Sequence, residues 1–437
     1  MSAKPFHLAW FLQGSSIQAW GEKWTGNISE DWMQPELFLE LARSMERACM
    51  DYLLIEDSIY IGQNWKNSRE IFLKNGMCVP RQEPSVVAAL MTGATRHLGI
   101  VPTLSTFAYH PYLTARIIGT LDQVSSGRAG YNMVTGSSDL SAQNFGQDRL
   151  PDHDLRYDMA EEYIQICKRL WGSWEPGAIV SDRKSGTLID HNKVHTIDYE
   201  GRFYRSRGPL NSGPCPQGQP VIAQAGGSSK GKDFAARHAD TIVSSAKGIA
   251  AMKSYRDDIR ARLREFGRDP DSCKVLFLVS PIIAEAQAEA DERRKERAVN
   301  AARNMDARLA RLGWSTNIDF SGFDLDAPVG ELRTNGHQFS LAQFLQTAAN
   351  KTLRQAILDH ATGGYGLDFV GTPDAVAGQM AEAMQEIGGD GFLFELPNLS
   401  RRSIAGLTEG LVVELQQRKL VRRAYAHAHL RDNLLEF

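Results

Sequence analysis

Short apolar runs alternate with longer amphipathic stretches along nearly the whole sequence, and this alternation restricts the fold more than any other feature. The runs include HLAWFL near the start, then DYLLIED, PVIAQA and KVLFLVS, and GFLFE near the end. Between them apolar residues recur at helical spacing, as Leu37, Phe38, Leu41 and Met45 do after the first run. Strands that alternate with helices build repeated β-α-β units around a parallel sheet. Eight such units would close a (β/α)8 TIM barrel, which is the α/β fold that we predict.

One barrel domain is expected to include the whole chain, residues 1–437. The length alone would allow two or three domains, but no linker, internal repeat or low-complexity tract divides the sequence. Two irregular stretches, near 175–215 and near 312–365, are too long for ordinary connections and are interpreted as loop insertions. A long charged helix with a solvated face is expected near 285–311. Residues 420–437 are expected to form a tail that packs on a neighbouring subunit or on its own barrel.

The composition excludes several classes of partner. The formal net charge is -3, and no stretch combines clustered basic residues with aromatic ones, so we expect no nucleic-acid partner. No window reaches the roughly 18 apolar residues of a membrane span, and the first residues lack the cleavage site of a secretory signal. The five cysteines are odd in number and contain no C-x-x-C pair, which favours a reducing compartment. A cytoplasmic location without membrane contact is therefore expected.

A glycine-rich turn, QAGGSSKGKDFAA, follows a predicted strand and opens a predicted helix. Backbone amides at such a turn, together with the positive end of the helix dipole, can hold a phosphate. Gly226, Gly231 and Lys232 also match the G-x-x-x-x-G-K pattern of a P-loop, but Asp233 stands where that pattern needs a Ser or Thr hydroxyl. The residues alone leave a simple turn, a phosphate site and a P-loop-like nucleotide site open.

Polar residues stand at the ends of other predicted elements. The second strand ends on Glu56 and Asp57, where a barrel strand delivers side chains to the carboxyl-terminal mouth. His153 and Tyr157 lie four positions apart at the entrance to a predicted helix. Such a pair could hydrogen-bond a cofactor, although a loop histidine that solvent satisfies is the commoner outcome.

The spacing of glycines and of histidines argues against a bound NAD and against a metal site. No G-x-G-x-x-G fingerprint follows the first strand, so a resident NAD is not expected. His191 and His195 are four apart, but HNKVH lacks the Glu of H-E-x-x-H, so we expect surface histidines and no metal site.

Several long strings match a known family in the correct order. ARIIGTLDQVSSGRAGYNMVTG, HDLRYDMAEEYIQICKRLW, GPLNSGPCPQGQPVIAQAG and FVGTPDAVAGQM resemble the bacterial luciferase-like monooxygenases, in particular the nitrilotriacetate, pristinamycin synthase and dibenzothiophene sulfone monooxygenases. The resemblance extends over nearly the whole chain. It implies a TIM barrel that binds FMN at its carboxyl-terminal mouth and uses O2 as co-substrate. It also implies a separate NAD(P)H:FMN reductase that delivers FMNH2, and a homodimer or homotetramer.

The same resemblance assigns residues to the flavin site. The implied catalytic pair, expected to manage protons near the flavin, is His153 and Tyr157. The implied cofactor-binding residues are Asp57, Thr103, Ser137, His153, Tyr157, Gly226, Gly227 and Ser228. Gly227 and Gly136 stand where relatives often carry Ser, so backbone amides and the neighbouring hydroxyls of Ser228 and Ser137 would take over. The first loop, QAWGEKW, departs from the Trp-Arg pair of many relatives, and that loop shapes the substrate pocket.

The implied function is that of an FMNH2-dependent monooxygenase in a two-component system, which uses O2 to oxygenate a small organic molecule. Relatives act on xenobiotics that contain sulfur or nitrogen, often with cleavage of a carbon–sulfur or carbon–nitrogen bond. Two alternatives stay open: a P-loop-like nucleotide-binding protein, and an O2-independent flavin or deazaflavin oxidoreductase on the same barrel.

Overall fold

Eight parallel strands close into a barrel in the computed structural model, which describes residues 4–13, 34–362, 366–396 and 399–437. The strands, numbered here along the chain, are β1 His7–Leu12, β2 Tyr52–Ile55, β3 Gly99–Ser105, β4 Gly130–Val134, β5 Val221–Gln224, β6 Thr241–Ser244, β7 Lys274–Val279 and β8 Gly391–Phe394. Each strand pairs with the next one, and β8 pairs with β1 to close the ring. The predicted TIM barrel is confirmed.

The barrel strands are buried on both faces, as parallel strands covered by helices must be. Alternate side chains point into the barrel, and the others pack beneath the helices. In β7, for example, Leu276 and Leu278 join the interior cluster, whereas Val275 and Phe277 join the outer core. A continuous apolar run such as VLFLV therefore packs into the barrel interior with one set of side chains and beneath the helices with the other.

A helix follows each strand and packs outside the ring. The helices are α1 Pro35–Arg47, α2 Pro84–Ala94, α3 Pro111–Val124, α4 His153–Trp171, α5 Ser229–His238, α6 Ile249–Glu265, α7 Pro373–Ile387 and α8 Arg401–Ala405 with its continuation to Gln417. Thr372 caps α7, because its side chain accepts a hydrogen bond from the amide of Ala375. In the described part of the chain, no helix combines the length and the apolar character that crossing a bilayer requires.

The helix predicted to begin near His153 and Tyr157 starts at His153. This places His153 and Tyr157 in its first two turns. The polar stretch between α4 and β5 contains two small antiparallel hairpins, Ile179–Asp182 with Thr187–Ile189 and Tyr199–Glu200 with Arg205–Ser206.

The connection from β7 to α7, residues 280–372, is more helical than predicted, and we call it the β7–α7 segment. The single charged helix expected near 285–311 is two helices, Gln287–Arg303 and Met305–Thr316, because the backbone leaves helical geometry at Asn304 (φ -120, ψ 49). The stretch 312–365, predicted to be irregular, contains the helices Gln338–Ala348 and Leu353–Thr362. The apolar faces of these helices are short and are buried by packing on one another, so the periodicity of the sequence did not predict the helices.

The tail packs on its own barrel. A short helix, Leu430–Leu434, places Leu430 and Leu434 in the interior cluster of the barrel, each 1% exposed. Leu430 lies against Gly99 at the start of β3, where a Cβ would come within 2.6 Å of the Leu430 side chain. The tail therefore closes the amino-terminal mouth of the ring, opposite to the ends of the strands that bear the predicted site.

A buried charge cluster fastens this tail to β1. The carboxylate of Asp51 lies 2.9 Å from His7 Nδ1 and accepts a hydrogen bond of 2.7 Å from the guanidinium of Arg422. It also accepts one of 3.1 Å from the amide of Leu8. Burial alone would raise the pKa of Asp51, but His7, Arg422 and this amide outweigh burial and hold the pKa below its ordinary value.

Candidate active site

A cavity lies at the carboxyl-terminal ends of the barrel strands, beneath part of the β7–α7 segment. One wall follows β2, β3, β4 and β5, and another comes from Trp314 and residues 336–339. Among its lining residues are seven of the eight predicted cofactor-binding residues, namely Asp57, Thr103, Ser137, His153, Tyr157, Gly227 and Ser228. The fold thus brings together side chains from five separate parts of the sequence. The predicted loop QAWGEKW lies outside the described residues.

The glycine-rich turn presents the start of α5 to this cavity. Ser228 is the N-cap residue, and its hydroxyl oxygen accepts a hydrogen bond of 3.1 Å from the amide of Gly231. Gly227 and Ser228 both line the cavity. Backbone amides and the positive end of the helix dipole favour an anion at such a place.

Gly226 is the predicted residue that does not line the described cavity. Its amide donates to the side chain of Gln224, and its carbonyl accepts from the hydroxyl of Tyr255. A Cβ at Gly226 would lie 2.7 Å from the carbonyl group of Gly231. Gly226 therefore shapes the turn, because the backbone must pass this close, and its own polar groups are directed to protein partners.

His153 and Tyr157 lie beside the turn. The amide of His153 donates to Asn335 Oδ1 at 2.8 Å, and its Nδ1 lies 2.8 Å from the carboxylate of Asp154. With a proton on Nδ1, the other nitrogen of a neutral ring is an acceptor, and it lies 3.3 Å from the hydroxyl of Ser228. The rings of His153 and Tyr157 meet at 5.1 Å between centroids.

The phenol of Tyr157 is a hydrogen-bond donor over the whole neutral range. Burial raises its pKa, although hydrogen bonds to Gln224 and Ser228 oppose the increase. The hydroxyl also lies close to the backbone of Gly231, where a Cβ would come within 2.7 Å of it. The predicted catalytic pair therefore stands next to the anion-favouring start of α5.

Asp57 supplies a carboxyl group that can change its charge near neutral pH. Burial, which is the largest effect, and the neighbouring carboxylates Glu56 and Glu83 together raise the pKa of Asp57 to about 7, although Arg81 opposes them. Arg81 is paired with Glu56 at 3.4 Å. Asp57 can therefore donate a hydrogen bond while it is protonated.

Polar groups near the ends of β2, β3 and β4 line one wall of the cavity. Thr103 Oγ1 accepts a hydrogen bond of 2.8 Å from the amide group of Asn132. Asn132 Oδ1 and the hydroxyls of Ser105 and Ser58 are buried without a hydrogen-bond partner in the described part of the chain. All four residues line the cavity. Buried polar atoms seldom stay unpaired, so this wall suits a polar ring such as isoalloxazine.

Ser137 lines the cavity beside Gly136. Gly136 has a φ of +82, and a Cβ there would lie 2.6 Å from the ring of Phe107. A serine at position 136 would be strained, so Ser137 is the hydroxyl that this loop offers to the cavity.

Lys232, the lysine of the P-loop pattern, has other partners. Its ammonium group lies 2.8 Å from the carboxylate of Asp258 and 4.9 Å from the ring centroid of Tyr255. It is not among the described residues that line the cavity. A P-loop lysine must reach the bound phosphates, so the geometry does not support the nucleotide alternative.

The structure also places residues at the cavity that sequence reasoning missed. Arg156 donates 2.8 Å hydrogen bonds to the carbonyls of Pro151 and Asn335, and so fastens the β7–α7 segment to α4. His337 and Phe339 reach the cavity from that segment. Arg156 could have been suspected from its place in HDLRY, whereas the other two fall in the stretch that was predicted to be irregular.

Phe339 explains the glycine at position 227. A Cβ built on Gly227 would lie 2.2 Å from Cγ and 2.5 Å from Cβ of Phe339. Because the Phe339 Cβ is involved, rotation of the ring alone would not relieve the clash. The glycine therefore allows the β7–α7 segment to rest on the turn.

Gly227→Ala is accordingly expected to lower the free energy of unfolding by about 1–3 kcal/mol, since it overpacks this contact. Phe339→Gly removes both the ring and the Cβ and should relieve the clash, so the double variant should lose less than the sum of the two single losses. Chemical denaturation followed by tryptophan fluorescence would measure all three. Gly330→Ala is the matched control in the same segment, because a Cβ there would meet nothing within 4 Å. If the double variant lost as much free energy of unfolding as the two single variants together, the contact between Gly227 and Phe339 would be contradicted.

Asp57 predicts a pH dependence for the binding of FMN, the cofactor that the family resemblance implies. A ligand that covers this carboxyl removes more water from it, which favours the protonated form, so affinity should fall as the pH rises through about 7. Asp57→Asn should lack this part of the dependence. The affinity of both proteins for FMN would be measured by fluorescence between pH 6 and 8.5. Protonation of the FMN phosphate affects both proteins equally, so the difference between them reports on Asp57. Identical pH profiles would rule out this role of Asp57.

Comparison with known families agrees with this geometry. A family described as luciferase-like monooxygenase matches residues 15–391. Dibenzothiophene-sulfone monooxygenase of Rhodococcus erythropolis (strain XP) is 31% identical over 440 residues, which cover 99% of this chain and 96% of that protein. Nitrilotriacetate monooxygenase component A of Aminobacter aminovorans is 32% identical over 443 residues, with 99% and 96% covered.

The fold matches solved structures over the same extent. A crystal structure of riboflavin lyase with modified FMN and its substrate riboflavin has a TM-score of 0.89 at 30% identity, and the match covers 99% of this chain and 96% of that one.

Proposed function

The chain belongs to the luciferase-like monooxygenase family and is a flavin-dependent monooxygenase, and we propose that it is the oxygenase component of a two-component system that uses FMNH2. A separate NAD(P)H:FMN reductase would supply the FMNH2. The proposed reaction uses O2 to oxygenate a small organic molecule that contains sulfur or nitrogen, a reaction that in this family often cleaves a carbon–sulfur or carbon–nitrogen bond. The relative named component A supports the division into two proteins.

One observation carries the proposal. A single cavity holds Ser228 at the start of α5, the pair His153 and Tyr157, and the polar ends of β2, β3 and β4. An anion-favouring helix start next to a wall of unpaired polar atoms suits a ligand with a phosphate and a polar planar ring. FMN has both parts.

In this proposal the turn at Gly227 and Ser228 holds the phosphate, while Thr103, Asn132 and Asp57 hold the ring. Bound reduced FMN would supply the electrons that activate O2. His153 would accept or return a proton at Nε2, since Asp154 fixes the ring from the other side.

The β7–α7 segment would keep water from the reacting groups. It covers the cavity with Trp314 and Phe339, and Arg156 and Asn335 bind it to α4. Exclusion of water limits wasteful loss of activated oxygen.

The test combines the purified protein with FMN, a flavin reductase, NADH and a panel of sulfur-containing and nitrogen-containing compounds. We expect O2 uptake and a product that incorporates labelled oxygen from 18O2. Failure to bind reduced FMN would refute the proposal. Turnover that continues without O2 would favour a hydride-transfer oxidoreductase, and magnesium-dependent nucleotide binding that Lys232→Ala removes would favour the P-loop alternative.

We further propose that the chain forms a homodimer or homotetramer. Exposed apolar side chains on the adjacent helices α2 and α3 support this, since Val86 is 62% exposed, Leu90 44% and Leu113 45%. Light scattering coupled to size-exclusion chromatography would give the mass in solution, and a monomer at micromolar concentration would contradict the proposal.

A further inference from the structure

A second pocket, which we call the basic pocket, lies on the other side of the barrel from the candidate active site. Its volume is about 450 Å³. Its walls come from the residues just before β5 and β6, the last turns of α4 and α5, and the tail helix. These parts face the amino-terminal ends of the strands, whereas the candidate active site lies at the carboxyl-terminal ends. The two also share none of their described lining residues, so the basic pocket is a separate site.

Positive charge dominates the basic pocket. The cations of its described lining are Lys168, Arg237, Arg268 and Arg431. Arg431 pairs with the lining carboxylate Asp240 at 2.6 Å, and Arg237 pairs with Glu161 of α4 at 2.8 Å. The other two cations, Lys168 and Arg268, form no ion pair in the described part of the chain. The pocket therefore contains two cations whose charge no neighbouring carboxylate pairs with.

The ammonium group of Lys168 has hydrogens left for a ligand. Its Nζ lies 3.2 Å from His238 Nδ1, and His238 Nε2 lies 2.8 Å from the carboxylate of Glu161. Burial lowers the pKa of His238, so at pH 7 its ring is neutral, with the proton on Nε2 and with Nδ1 as the acceptor. Within the described residues, Lys168 thus uses one of its three hydrogens.

Arg268 is held at the end of α5 and also has donors left. Its Nη1 donates to the carbonyl of Ala236 at 2.9 Å, and its Nη2 donates to the carbonyl of Ala239 at 2.8 Å. A guanidinium group has five N–H donors, so these two bonds do not exhaust it. The carboxyl-terminal ends of α4 and α5 contribute roughly half a negative charge each, which is less than the two charges of Lys168 and Arg268. The helix ends therefore do not neutralise this pair of cations.

We propose that the basic pocket binds a small molecule that bears a phosphate group, held by Lys168 and Arg268. A phosphate group has nearly two negative charges and three acceptor oxygens, which suits two unpaired cations with several remaining donors. The pocket is larger than one phosphate, so a second phosphate or a ligand body also has room. The bound ligand would join the last turns of α4 and α5, the helices whose first ends place His153 and Ser228 at the candidate active site.

Calorimetry with pyrophosphate at constant ionic strength tests the proposal. The protein is first saturated with FMN, which occupies the other candidate phosphate site. We expect saturable binding of pyrophosphate that Lys168→Gln weakens about 10-fold, because glutamine can still donate to His238 but lacks the charge. Lys168→Arg should retain the binding. Arg264→Gln, at an exposed arginine outside the lining of the basic pocket, is the matched control and should also retain it.

A measurement on the unmodified protein does not depend on the folding of any variant. Acetic anhydride acetylates accessible lysines, and mass spectrometry of the digested protein gives the rate at each one. Pyrophosphate should slow the acetylation of Lys168 several-fold. Lys253, which is exposed on α6, should react at the same rate with and without pyrophosphate.

Several results would overturn the inference: no saturable binding of pyrophosphate, equal affinity in Lys168→Gln and the original protein, or no protection of Lys168. Tighter binding of succinate than of pyrophosphate would overturn the ligand class, because it would indicate a dicarboxylate site. Ser228→Ala should bind pyrophosphate as the original protein does, since a loss there would place the anion at the candidate active site. Failure of FMN to bind would count against the proposed function alone, because the comparison of Lys168→Gln with Ser228→Ala still locates the pyrophosphate.

Discussion

Replacing His153 by alanine is expected to lower kcat of the FMNH2-dependent reaction by about 100-fold or more, which is the contribution of a well-placed proton-transfer group. The residue is held at three points, since its amide binds Asn335, its Nδ1 faces Asp154, and its Nε2 faces Ser228. Alanine would keep the backbone contact and remove both ring contacts. Reductase-coupled assays, with product and hydrogen peroxide measured separately, would show the loss as uncoupled O2 uptake.

Asp154→Asn provides a graded comparison. It retains the ring but weakens the group that orients Nδ1, so its effect should be much smaller, about 10-fold. His191→Ala should leave kcat unchanged, because His191 is exposed in a surface turn. If His153→Ala kept kcat within about threefold of the original protein, His153 would not transfer a proton in the rate-limiting step.

Asp51→Asn is expected to lower the free energy of unfolding by about 3 kcal/mol, because the buried guanidinium of Arg422 loses its pair at 2.7 Å and keeps only the longer pair with Glu436 at 3.5 Å. Asp51 is 2% exposed and Arg422 7%, so solvent cannot replace the lost partner. Arg422→Met should cost a similar amount, and the double variant should lose less than the sum of the two. Urea denaturation at pH 7 would measure the three losses.

The sign of the pH dependence follows from the lowered pKa of Asp51. The folded protein binds a proton at Asp51 less readily than the unfolded chain does, so the contribution is complete above the ordinary pKa near 4 and is lost as the pH falls through the lower folded value. The difference between the original protein and Asp51→Asn should therefore stay constant from pH 8 to 5 and shrink below pH 4. Asp182→Asn on an exposed hairpin is the control, and equal effects of the two substitutions would contradict the role of the buried cluster.

The sequence predicted the fold best where the residues of a single strand or helix are enough to identify that element. The barrel strands are short apolar runs, and helices such as α7 begin with a capping residue and a proline, so the fold followed from local patterns. It was least informative in the β7–α7 segment, where the break at Asn304 and the helices at 338–362 depend on packing between elements.

Some residues of the candidate site could be predicted from the sequence and others could not. Asp57 and the turn at Ser228 could be placed because they stand at strand or helix ends, and family resemblance identified Thr103, His153 and Tyr157. No sequence pattern predicted that Phe339 would cover Gly227 or that His337 would face the cavity, since these contacts join distant parts of the chain. The cluster around Asp51 is similar, because Asp51 and Arg422 are 371 positions apart.

The ring closure between β1 and β8 has a consequence for synthesis of the chain. The ribosome delivers β1 among the first residues and β8 among the last, yet each completes the hydrogen bonding of the other. Until β8 emerges, the nascent protein carries an open parallel sheet with two unpaired edges, a state prone to misassociation. Chains interrupted before this point should depend on chaperones, and a slow final step of folding should follow release of the last residues.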